Sequence, residues 1–223
     1  MHLLLSGIVG SVAYGLARPG SDVDRIGVFA APTVAFHGLH PPRGSVVTTD
    51  PDVTLHEAGK YCALALSGNP TATELMWLPD DCYETRTEFG DRLVAIRSAF
   101  LSAPRVRAAY LGYATQQFRK LTTRDSSAGG RRRSAKHARH LARLLHQGRR
   151  LYATGVLEIR LADPEWFRAF GERVAGGALA EAEALVAAAE RDFDRIRTPL
   201  PERPDEATAE RWLLDVRAAH LPR

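Results

Sequence analysis

Cysteine is nearly missing. The two residues present, Cys62 and Cys82, are too few and too far apart for a disulfide framework or a thiolate zinc site. That leaves isolated thiols in a reducing compartment. Lysine is scarce as well: Lys60, Lys120 and Lys136 are the only ones, and the rest of the 30 basic residues are Arg. No segment approaches 18 consecutive apolar residues, which excludes a helical membrane span. The N-terminal run LLLSGIVGSVAYGL has no basic leading segment, and acidic residues follow it directly. It therefore reads as a core strand and turn rather than a secretion signal, and a cytoplasmic location is expected. What the chain does have is ordinary for a globular protein. Its 223 residues are 45% hydrophobic and 25% charged, enough for one large domain or two small ones. The net charge of +4 says less about function than local clustering does.

The hydrophobic pattern divides the chain. Residues 2–9 predict a buried strand, Gly10 to Gly15 a turn into a short helix, and 23–30 a second strand ended by Ala31-Pro32. Residues 33–45, rich in Pro, Gly and His, predict a loop, and 46–56 a third strand broken by Pro51. A helix from about Leu55 to Leu66 stops at Gly68-Asn69-Pro70, and a short helix runs from Thr71 to Trp77. From about residue 88 the period becomes helical, over 88–101, 104–121, 132–153, 164–174, 178–197 and 205–219, with a polar loop at 121–133. The expected fold class is α+β, a mixed sheet with helices over residues 1–88 followed by an all-helical domain over 89–223.

The candidate chemistry sits near the start, in Gly10-Ser11 followed by Asp22-Val23-Asp24. Residues i and i+2 of a strand share a face, so Asp22 and Asp24 project side by side. Two adjacent carboxylates repel unless a cation lies between them. A Gly-Ser turn exposes backbone N–H groups and a hydroxyl, which suit phosphate. Asp-X-Asp alone is a weak signal, equally readable as a capped, solvated loop. The preceding Gly-Ser turn, the flanking apolar strands and a third carboxylate, Asp52, at the head of VTLHE favour a metal–phosphate site. Asp50 lies two residues before Asp52 on the same face, so either could be the third carboxylate. Three carboxylates on two neighbouring strands suit two Mg²⁺ ions, with Mn²⁺ able to substitute. Rival motifs fail: the glycines lack GxGxxG spacing, no Lys-Ser/Thr follows as in a P-loop, and no HExxH occurs.

Helix 132–153 is the second candidate. With Lys136 set at zero and about 100° per residue, His140 falls near 40°, Arg143 near 340° and Gln147 near 20°. Ala138, Leu141, Leu145 and Tyr152 gather opposite. The polar side reads either as a solvated basic face or as an anion site in which Lys136, His140 and Arg143 donate to one phosphate group. Arg131-Arg132-Arg133 reads as a solvated run, with a nucleic-acid backbone as the alternative partner.

These blocks resemble a known family. Gly-Ser…Asp-X-Asp is similar to the polymerase-β-type nucleotidyltransferase superfamily. GSVAYGLARPGSDVDRIGVFAAP, DVTLHEAGKYCALALSGNPTATELMWLP and AKHARHLARLLHQGRRLYATGVLEIRL, in that order, resemble the YcgL/RlaP-like bacterial and phage nucleotidyltransferases, over residues 3–161. The resemblance implies that Asp22, Asp24 and Asp52 are the catalytic, metal-binding carboxylates. It also implies that Gly10, Ser11, Lys136, His140 and Arg143 bind the nucleotide, with the helical domain completing the NTP site. Asn69, Pro70 and Glu74 match the family's Asn-Pro-X3-Glu block, with Asn69 and Pro70 as turn formers and Glu74 facing a basic neighbour. The implied activity is Mg²⁺-dependent transfer of an NMP from an NTP to a hydroxyl, an RNA 3′ end in RNA repair, with pyrophosphate released and no membrane partner. An antitoxin-like binding module and a nucleotidyltransferase acting on a protein or small molecule are the competing classes.

Overall fold

The computed structural model describes residues 1–122 and 128–221. The elements in order are strand β1 (His2–Val9), the one-turn helix α1 (Gly10–Ala13), β2 (Asp24–Ala30), β3 (Ser45–Thr49) and β4 (Asp52–Glu57). Then come helices α2 (Ala58–Leu66) and α3 (Pro70–Leu75), strand β5 (Tyr83–Arg86), and helices α4 (Glu88–Ala95), α5 (Ala103–Thr122), α6 (Ala128–Thr154), α7 (Pro164–Ala175), α8 (Leu179–Arg195) and α9 (Glu206–Ala219). The class is α+β, as the sequence implies. No helix among the described residues is long and apolar enough to cross a membrane.

The chain divides into two compact units, residues 1–101 with 203–223, and residues 102–202. This differs from the expected 1–88 and 89–223. The switch to a helical period at residue 88 marks α4, which packs on β1 of the first unit, and α9 likewise packs on α2 and α4 there. A helical period does not say which core a helix covers.

In the first unit the five strands run in the order β3-β4-β2-β1-β5. All neighbours are antiparallel except β2 and β4, which are parallel. The expected strand 46–56 is two strands, because Asp50 and Pro51 form a turn and the chain doubles back into a hairpin. β2 reads DRIGVFA, and its last five residues are buried. Parallel pairing on one side and antiparallel pairing on the other place it centrally, which explains its continuous apolar run. β5, which the sequence reading missed, is a short polar edge strand (YETR) with no apolar alternation. Asn69 caps α3 by accepting from the Ala72 N–H at 3.1 Å, with Pro70 in its first turn.

A half-buried ion pair fastens α9. Arg217 donates from both terminal nitrogens to Glu57, at 2.5 and 2.9 Å, and lies over the Phe36 ring at 4.1 Å. Glu57 also caps α2 by accepting from the Gly59 N–H at 2.8 Å.

In the second unit α6 is the central helix, packed against α5, α7 and α8. Gly148 lets α5 approach closely: a Cβ there would lie 2.6 Å from the Cβ of Tyr110. α6 begins at Ala128 rather than 132, so Arg131, Arg132 and Arg133 are helical rather than loop. The expected loop at 121–133 is helix at both ends, and its residues 123–127 lie outside the described residues.

Candidate functional site

β1 delivers the chain to Gly10, whose φ of +69° is favourable only for glycine. The backbone turns there into α1, and the Ser11 carbonyl accepts from the N–H groups of Leu16 and Ala17 at 2.8 and 2.9 Å. The ladder pairs Val9, the last residue of β1, with Asp24, the first of β2. The carboxylate of Asp24 therefore lies against the turn: a Cβ added to Gly10 would meet its Oδ2 at 2.1 Å. The ten-residue interval between Gly10-Ser11 and Asp22 is the loop that brings the second strand back beside the turn.

The same ladder logic positions Asp52. Parallel pairing sets Arg25 opposite Val53, so Asp24 and Asp52 occupy corresponding places one residue earlier on neighbouring strands. Strands lie ~4.8 Å apart, and corresponding residues share a face. Asp52 is exposed, Asp24 half-buried, and Asp22 exposed in the loop just before β2. Asp50 sits in the β3–β4 turn rather than on the strand. Among the described residues no three His, Cys, Asp or Glu side chains gather closely enough to hold a metal ion. The carboxylates are thus aligned by register but not closed into a three-ligand cluster. In donor chemistry Asp24 and Asp52 fit a hard divalent cation, and the bare Cα of Gly10 leaves Asp24 the space a Cβ would take.

Tyr14 ties this turn to the unit. Its hydroxyl donates to Oε2 of Glu74 at 2.6 Å, both residues being buried. Glu74 thus accepts from a phenol. Tyr61 and Tyr83 pin the same helix, donating to the carbonyls of Ala72 at 2.8 Å and Leu75 at 2.9 Å. The sequence reading missed Tyr14; its place four residues after Gly10, on the first turn beyond the motif, was the signal available.

In the second unit Lys136, His140 and Arg143 do share one side of α6, but only Lys136 is exposed. Arg143 is 2% exposed; it donates to Gln147 Oε1 at 2.5 Å and faces His140 Nδ1 at 3.1 Å. Gln147 in turn donates to the carbonyls of Glu158 and Ile159 at 2.9 and 3.2 Å, holding the segment after α6 to the helix. Because guanidinium only donates, His140 Nδ1 accepts, which assigns its proton to Nε2. Burial, and then the charge of Arg143, push the His140 pKa down to about 3. His140 is a neutral donor through Nε2–H at physiological pH, and the expected open cationic strip is a covered polar network with Lys136 at its edge. A helical wheel separates polar from apolar residues; it does not show that polar ones are buried in a network of their own. His137 is likewise held below its ordinary value by burial and by Lys120, Lys136 and Arg133, and bonds Gln117 Oε1 at 2.9 Å.

No curated protein matches this chain. A family model, however, matches residues 1–210, a span that takes in the Gly-Ser turn, all three carboxylates, α6 and the first turn of α9. The chain belongs to the RNA repair pathway DNA polymerase beta family, RlaP.

Proposed function

We propose that the protein is a Mg²⁺-dependent nucleotidyltransferase that moves an NMP from an NTP to an RNA 3′ hydroxyl and releases pyrophosphate. The carrying observation is the register of Asp24 and Asp52 on neighbouring parallel strands, with the Gly10 turn against the Asp24 carboxylate. Asp22, Asp24 and Asp52 would hold Mg²⁺, which when bound supplies charge to the phosphates and eases ionisation of the attacking hydroxyl. The attacking oxygen forms a bond to the α-phosphorus, and the bond from that phosphorus to the bridging oxygen of pyrophosphate breaks in line. Asp52 accepts the proton lost by the hydroxyl.

The Gly10-Ser11 turn offers backbone N–H groups and the Ser11 hydroxyl to the triphosphate. In the second unit Lys136 is exposed, and Arg143 fixes the ring of the half-buried His140. A neutral His140 keeps its Nε2–H donor over the whole physiological pH range.

Incubation with α-labelled NTPs, Mg²⁺ and single-stranded RNA tests the reading. Label should enter the RNA 3′ end, and Asp24→Asn should abolish transfer without unfolding the protein. Failure of every NTP to label any RNA overturns it.

A further inference from the structure

The charge of this chain is unevenly divided. Residues 102–202 contain 19 Lys and Arg against 11 Asp and Glu, a surplus of eight, whereas the rest contains 11 against 15. Within that unit α5 and α6 carry twelve Lys and Arg and no Asp or Glu. Where these helices face α8, or α6 meets α7 or the segment behind it, acids answer them: Arg107 pairs with Asp194 at 2.6 Å, Arg149 with Asp192 at 2.5 Å, Arg139 with Glu172 at 3.8 Å, and Arg150 with Glu158.

The end of the hairpin where α5 stops and α6 starts is different. Arg119, Lys120, Arg131, Arg132 and Arg133 are all exposed there. Arg119, Arg131 and Arg132 make no ion pair among the described residues, and the positive charge of Lys120, Arg133 and Lys136 is felt at His137. The Gln117–His137 bond sets the last turns of α5 beside the first turns of α6, so these cations form one patch drawn from two helices. Like charges crowded on rigid helices repel, and a string of phosphates relieves the repulsion.

We infer that this helical-hairpin tip is a nucleic-acid docking surface that holds the sugar–phosphate backbone of single-stranded RNA. Among the described residues the patch presents cations from two helices, which suit phosphates whatever the base sequence. The inference rests on RNA being the acceptor in the reading above, and it assigns where that RNA is held.

The test is fluorescence anisotropy of a labelled 20-nucleotide RNA against the full chain at 50 to 200 mM salt. Five phosphate contacts give a log–log salt slope of about −3.5, or a loss of about 100-fold in affinity across that range. Arg119→Gln/Arg131→Gln/Arg132→Gln should flatten the slope by about 2 and leave a loss of about 7-fold. Arg107→Gln/Arg150→Gln removes paired charges instead and should keep the wild-type slope. The surface is overturned if the tip variant binds RNA like wild type, if the paired-charge variant loses as much, or if the chain binds anionic vesicles but not RNA. The two readings fail separately. Asp24→Asn should lose transfer and keep RNA binding, and the tip variant should keep NTP binding while its KM for RNA rises.

Discussion

Gly10→Ala gives the sharpest test of how the turn serves the carboxylate, because the chain carries its own control. Gly10 and Gly15 both have left-handed backbone, φ +69° and +75°. Alanine in that region costs ~1–2 kcal/mol, and this share of the penalty is common to both positions. At Gly15 nothing lies within 4 Å of an added Cβ, whereas at Gly10 it meets Asp24 Oδ2 at 2.1 Å. An ordinary contact is about 3.5 Å, so the carboxylate must shift by more than 1 Å. Because it is the end of a side chain, it can rotate away with little further loss of stability. Both variants should therefore melt roughly 2–8 °C below wild type. Activity should diverge, since a reacting group misplaced by ~1 Å costs about 100-fold. Gly15→Ala should retain transfer and Gly10→Ala should lose about two orders of magnitude, read by thermal denaturation and label incorporation on the same preparations. Equal activity in the two variants would refute the role given to the Gly10 turn.

Three further outcomes follow from buried groups. Arg217→Met leaves the Glu57 carboxylate, whose side chain is 4% exposed, without its partner; it should cost about 3 kcal/mol in urea unfolding, partly recovered in Glu57→Gln/Arg217→Met. Tyr14→Phe removes a donor from the buried Glu74 and should cost about 1–3 kcal/mol, seen as a lower melting temperature. His140, held at about 3 in the fold against ~6.5 unfolded, binds its proton only in the unfolded chain between those values. Stability should then fall as pH drops below 6.5, by at most about 1.4 kcal/mol per pH unit from this group, and the pH series of His140→Asn should be flatter over that window.

Much of the first unit could be read from the chain. The apolar runs of β1 and β2, the Gly-Ser turn, and the Asn69-Pro70 cap carry local signals that act within a few residues. The carboxylates were legible as types and spacings; that Asp24 and Asp52 match in register depends on a parallel ladder between β2 and β4, which β3 separates in sequence, and no local pattern encodes it. The return of α9 was invisible for a similar reason: the Glu57–Arg217 pair links residues 160 positions apart. On α6 the period placed the apolar side correctly through Ala138, Leu141 and Leu145. It missed that Arg143 and Gln147 are buried too, because a satisfied polar network leaves the same polar stripe in sequence as a solvated face.

The central claim is that Asp24 and Asp52 work together beside the Gly10 turn in nucleotidyl transfer. The most direct test is incorporation of α-labelled NTP into RNA by wild type, Asp24→Asn, Asp52→Asn and Asp50→Asn, with folding checked by circular dichroism. The account predicts labelled RNA and pyrophosphate from wild type and Asp50→Asn, and transfer reduced at least 100-fold in the folded Asp24→Asn and Asp52→Asn proteins. Wild-type rates from either of those two variants would contradict it.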